Sequence, residues 1–186
     1  MECINLLKNN TEIMSEWERL SKPKLLDAFV EEIKKSGIYD IKIDTSSSSL
    51  FNFLSFKRDG EIFEIALILK NVSSAGWADK PRMKRVQVSN IAKIQNDELY
   101  LKLKNKVILL VGYYNYDDNP ILVSWNIDQY KNHNTIRSCY VTVDSMKLAY
   151  TKNFYDGVNA KQKVWIYKGE LFFKFLKEYI VYGEKE

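Results

Sequence analysis

Two cysteines and one histidine are all that 186 residues offer toward thiol or imidazole chemistry. Cys3 and Cys139 have no metal-ligand spacing and build no disulfide framework, and a lone His133 leaves zinc without its usual ligands. So few cysteines suit a reducing compartment, and a cytoplasmic setting is expected. Long apolar runs are missing as well. No stretch nears the roughly 18 residues that suggest a membrane span, and the opening MECINLLKNN lacks the apolar centre of a signal peptide. No membrane partner is expected. Glycine and proline are scarce, with seven and three copies, so they act as punctuation where they gather.

Enzyme signatures are also thin. There is no G-x-S-x-G elbow, no phosphate-binding G-x-x-x-x-G-K-[ST] or G-x-G-x-x-G, and no acidic calcium loop. No cofactor or metal is therefore expected. His133, in KNHNT, has no companion that would make it a catalyst, and a lone loop histidine is more often a surface or binding contact. Asp40 and Lys42 in YDIKI form the acid-x-Lys pair of metal-dependent nucleases, but no upstream acid on a strand joins them. The segment is expected to be non-catalytic.

What is present describes a folded domain. Apolar residues make up 46% and aromatics 13%, enough for a real core. The first 45 residues read as helical. TEIMSEWERL starts at a plausible cap, Thr11, with Ile13, Met14, Trp17 and Leu20 near helical spacing. SKPKLLDAFVEEIKKSG carries Pro23 in its first turn, a stripe of Leu26, Phe29, Val30 and Ile33, and Gly37 as its stop. Period two then takes over. LFNFLSF and EIFEIALIL flank the turn letters KRDG, which predicts a hairpin. RVQV, ELYLKL, VILLVGYY, ILVSWN, CYVTV and VWIY read as further strands, and GELFFKFLKEYIVYG as a closing helix. Many short strands with few helices predict a mainly β fold with added helices, an open barrel or sandwich, and not a parallel α/β sheet.

Charge is placed unevenly. Lys70, Lys80, Arg82, Lys84 and Arg85 face a single acid, Asp79, so this stretch holds the chain's whole excess of +4, and the rest balances. Gly76 and Pro81 mark SSAGWADKPRMKR as a loop projecting from a sheet. If Val86 and Val88 face a core, Arg85 and Gln87 share the opposite face. Arginine can pair both major-groove acceptors of guanine, and glutamine the donor and acceptor of adenine. Lys80 and Lys84 suit phosphates as point charges. Trp77 could stack or wedge, although an indole at a loop base is more often a packing anchor. A second polar arm, DQYKNHNTIRS, carries Lys131, Asn132, His133, Asn134 and Arg137. Alone it reads as a solvated loop. Two donor-rich arms flanking one small sheet suit a groove clamp.

The order of these parts, GWADKPRMKRVQVSNI followed by VILLVGYYNYDDNPILVSWNIDQYKNHNTIRSCYVTVDSM, resembles the B3-like DNA-binding domains of bacterial restriction enzymes. Those are the effector domains of EcoRII and BfiI type and the N-terminal domains of McrBC-like systems such as LlaJI. The match spans about residues 68 to 146. It implies an α+β fold, a B3-like open pseudo-barrel over residues 46–186 with an N-terminal helical segment over 1–45 packed on it. It also implies two arms, residues 76–87 and 129–138, gripping the major groove. The resemblance makes Trp77, Asp79, Lys80, Arg82, Lys84, Arg85, Gln87, Lys131, Asn132, His133, Asn134 and Arg137 the candidate contacts. The WADK insertion around Trp77 departs from the commoner pattern. The implied function is sequence-specific double-stranded DNA binding within a larger restriction complex, a phage-defence setting. A reader of modified bases and a compact Mg²⁺ nuclease using Asp40 and Lys42 are the alternatives.

Overall fold

The computed structural model describes residues 19–45, 50–80, 82–88, 103–116, 118–127 and 136–183. The stretches TEIMSEW and KNHNT, with Thr11, Trp17, Lys131, Asn132, His133 and Asn134, lie outside them, as does ELYLKL up to Leu103.

Helix α1 runs Lys22–Lys34, starting after Ser21 with proline in its first turn and ending before Gly37 (φ 80°). Its buried positions include the expected Leu26, Phe29, Val30 and Ile33. Strand β1 (Lys42–Asp44) pairs with β2 (Asn52–Arg58), and β2 pairs with β3 (Glu61–Asn71) through a turn at Asp59–Gly60. Both turn residues have positive φ, 53° and 86°, the geometry that Asp-Gly favours in two-residue hairpins. Then come β4 (Ser73–Ser74), β5 (Met83–Val88), β6 (Val107–Tyr116), β7 (Asn119–Trp125) and β8 (Arg137–Thr142). Helix α2 (Val143–Lys152), strands β9 (Phe154–Asn159) and β10 (Gln162–Tyr167), and helix α3 (Phe172–Gly183) close the chain.

The strands form two sheets: seven strands in the order β1-β2-β3-β6-β7-β10-β9, and three in the order β4-β5-β8. Only the β3–β6 pair among these is parallel. The larger sheet stays open, and the fold is mainly β with helices, as the strand pattern predicts.

Alternation along the central strands splits the core in two. Ile65, Leu67, Leu109, Val111, Leu122, Trp165 and Tyr167 face α1 and α3, with Phe29, Phe172 and Phe175. Ala66, Ile68, Leu110, Ile121, Val123, Trp125, Val164 and Ile166 face the small sheet and α2, with Val86, Val88, Cys139 and Val141. A central strand buried on both sides must read as a continuous apolar run, which is what VILLV and ILV are. Gly112 sets how closely the layers approach. A Cβ there would sit 2.6 Å from a methyl of Val72 and 3.1 Å from both Val86 and Trp125. The small sheet rests on that gap.

Three elements differ from the sequence reading: helix α2, strand β9, and the two-residue strand β4, which stands where a projecting loop is expected. Thr142 ends β8 and also caps α2, its side-chain oxygen accepting the Ser145 N–H at 3.2 Å, so strand and helix meet without a loop.

Candidate nucleic-acid interface

Strand β5 is the centre of the small sheet, between β4 and β8, and its side chains alternate strictly. Lys84, Val86 and Val88 point inward and are buried, while Arg85 is half-buried and Gln87 exposed on the other side. The register gives Arg85 two cross-strand neighbours, Ser73 and Tyr140. Gln87 lies opposite Ser138, and Met83 opposite Thr142. The outer face therefore carries Gln87, Arg85 and Tyr140 side by side.

Trp77 joins this face. Its ring centroid lies 4.9 Å from that of Tyr140 with planes 36° apart, and it keeps 37% exposure. The Lys80 ammonium sits 5.1 Å from the indole centroid, within cation–π range. The loop that holds them is compact: Ala75 N–H donates to Met83, Lys80 N–H to Trp77 and Met83 N–H to Lys80. It folds back on the sheet and does not project freely, so the indole is both packed and accessible. Asp79 lies exposed at the turn. Arg82 is engaged elsewhere, its Nη2 donating to the Asp144 carboxylate at the start of α2. The buried Nε of Arg82 and that of Arg85 both lack an acceptor among the described residues.

Lys84 requires a correction. The sequence reading gave it a phosphate, yet it is only 2% exposed, on the same side of β5 as Val86 and Val88. Its ammonium lies 5.9 Å from the Tyr114 ring centroid, and desolvation lowers its pKa from 10.5 to about 8. The parity that turns Arg85 outward turns Lys84 inward. A lysine there cannot sit on a solvent-side phosphate.

Of the second arm, Arg137 is described. It starts β8 opposite Val88 and is exposed. The outer edge of β8 is sealed by side chains from the large sheet. Tyr140 N–H donates to Gln162 Oε1 at 2.8 Å, and Gln162 Nε2 donates to the Ser138 carbonyl at 3.2 Å. Thr142 N–H donates to Asn159 Oδ1 at 2.8 Å, and Trp125 Nε1 donates to the Tyr140 carbonyl at 3.0 Å. Tyr140, Gln162 and Asn159 did not figure in the sequence reading. The alternation of CYVTV could have turned Tyr140 outward; no local signal marks the two amides.

Asp40 sits in a turn with φ 54°, Lys42 begins β1, and both are exposed. Among the described residues no three His, Cys, Asp or Glu side chains gather as metal ligands. No described helix is long and apolar enough to cross a membrane.

The family model for Methylase-associated X1 matches residues 63 to 181, well over half of the chain. The chain belongs to the methylase-associated X1 family. No curated protein and no solved structure matches it. The matched span begins in β3 and ends in α3, so the methylase-associated X1 unit contains the whole small sheet and most of the large one. Membership associates the chain with restriction–modification systems.

Proposed function

We propose that the outer face of the small sheet reads double-stranded DNA in a sequence-specific way, as the targeting module of a restriction–modification complex. The observation that carries the reading is the pairing of Arg85 and Gln87 on one exposed face of β5, above a strand whose other side is core. Their donors match guanine and adenine edges in the major groove. Trp77 on Tyr140 forms an apolar wall beside them, suited to a thymine methyl or a sugar. Exposed Lys80 serves as a backbone contact. A B3-like wrench of two arms, with 129–138 as the second, is the docking geometry we infer, and the domain acts without catalysis of its own.

A flipped, modified base would need an enclosed aromatic slot. Trp165 and Tyr182 line an open groove of about 510 Å³, and Lys163 lies 5.0 and 5.5 Å over their rings. That groove does not enclose a base, and the duplex reading rests on β5 instead.

The test is selection of bound duplexes from a random pool, followed by titration of the winner and its single-substitution variants. One short motif should emerge, with little affinity for single strands. Arg85→Ala should lose about 1–3 kcal/mol of discrimination at one base pair. Equal affinity for single strands, or no enrichment, would remove the proposal.

A further inference from the structure

The β9–β10 hairpin ends in a turn that glycine or asparagine would normally occupy. Ala160 and Lys161 stand there with φ of 48° and 65°. Side chains with a Cβ rarely adopt this backbone, least of all twice in succession. The turn is nevertheless fixed in place. Asn159 and Gln162, the pair that closes it, are the residues whose amides bond Thr142, Tyr140 and Ser138. Three hydrogen bonds thus hold the hairpin end against the outer edge of β8. Lys161 is exposed at this tip and makes no ion pair among the described residues. Nearby cations are neutralised by contrast: Lys163 bonds Asp156 and Arg82 bonds Asp144.

We propose that Lys161 is a DNA phosphate contact, presented by a rigid turn at the rim of the reading face. The inference rests on the proposed duplex reading. Strands in a sheet lie about 4.8 Å apart, so β4, β5 and β8 together span roughly 10 Å. The major groove is about 12 Å wide. With the strands' own thickness added, such a sheet takes up the whole groove mouth, so whatever stands just beyond β8 meets the sugar–phosphate wall. Lys161 stands there. A lysine at that rim supplies charge without base information. The pegged turn keeps the cation beside β8, so little freedom is lost when it engages.

The experiment compares the wild-type chain with Lys161→Gly and Lys161→Arg, using the selected duplex, its single-substitution variants and several salt concentrations. Glycine fits the positive φ, so this variant removes the charge while easing the turn. Lys161→Gly should bind every duplex several-fold more weakly, keep the same base preference, and reduce the log–log salt slope by about 0.9. Lys161→Arg should retain affinity and slope. An unchanged slope and affinity in Lys161→Gly, with the wild type binding normally, overturns this assignment and leaves the duplex reading intact. A change in base preference would also overturn it, since it would make Lys161 a base contact. If the wild type binds no duplex, the proposed function fails first, and Lys161 with it.

Discussion

Lys84 offers a measurement that separates burial from DNA contact. Its folded pKa is about 8 against 10.5 for a solvated lysine, and desolvation is the cause. Below pH 8 both folded and unfolded chains hold the proton, so the native state carries the full burden of a buried cation. Between 8 and 10.5 the unfolded chain binds a proton that the native chain has released. Stability therefore rises with pH through that window. Integrating the two titrations from pH 7 to 9.5 gives a gain of about 2 kcal/mol for the shift from 10.5 to about 8. Two tyrosines act with the opposite sign at higher pH. Burial, then Glu32 and Asp118, push Tyr113 up to about 12, and burial raises Tyr167 further. Their unfolded phenols ionise first, so above pH 10 they lower stability. Stopping at pH 9.5 and subtracting a Lys84→Met variant cancels them. Guanidinium unfolding of both proteins at pH 7, 8, 9 and 9.5 reads the difference directly. Wild type should gain about 2 kcal/mol on Lys84→Met across the series, and duplex affinity should be unchanged. A pH-independent difference, or a uniform loss of DNA affinity in Lys84→Met, would show that the amine reaches solvent, and the inward assignment would be withdrawn.

Other perturbations test the attachment of the small sheet. Gln162→Ala leaves the Tyr140 N–H and the Ser138 carbonyl without their partner, which should lower unfolding stability by about 2 kcal/mol in denaturant titrations. A loss under a few tenths would mean that water replaces the amide freely. Gly112→Ala places a methyl against Val72, Val86 and Trp125, and should destabilise by about 1–3 kcal/mol, read as a lowered midpoint with an unchanged denaturant slope. A neutral result would mean that the two sheets separate easily.

Much of the fold was legible because local chemistry and tertiary packing agree. Pro23 and Gly37 bracket α1, Asp59–Gly60 has the chemistry of its turn, and the alternation of RVQV places Arg85 and Gln87 correctly. The misses have physical causes. β9 reads FYDGVN, with an Asp and a Gly that disfavour a strand, and holds its shape because six residues pair with β10. Helix α2 shares Thr142 with the preceding strand, so no turn letters announce it. The parallel joining of β3 to β6 spans at least the described strands β4 and β5 and leaves no local trace. Lys84 differs for another reason: its charge suggests the surface, but the parity that turns Arg85 outward turns Lys84 inward with Val86 and Val88.

These positions change what the charge excess means. Of the five cations between Lys70 and Arg85, Lys84 is in the core and Arg82 is bound to Asp144. The loop alone is therefore a weaker polyanion site than its letters suggest. Positive charge on the outer face is instead assembled from separate parts of the chain. Lys80 lies over Trp77, Arg85 stands on β5, and Lys161 tips the hairpin pegged to β8. A surface built from segments far apart in sequence exists only when the small sheet is docked on the large one. Binding should then fail together with docking. Gly112→Ala, which touches none of these cations, should weaken duplex affinity to the extent that it loosens Val72, Val86 and Trp125. A charged but independently folding loop would bind equally well in that variant, and that result would return the site to residues 70–85 alone.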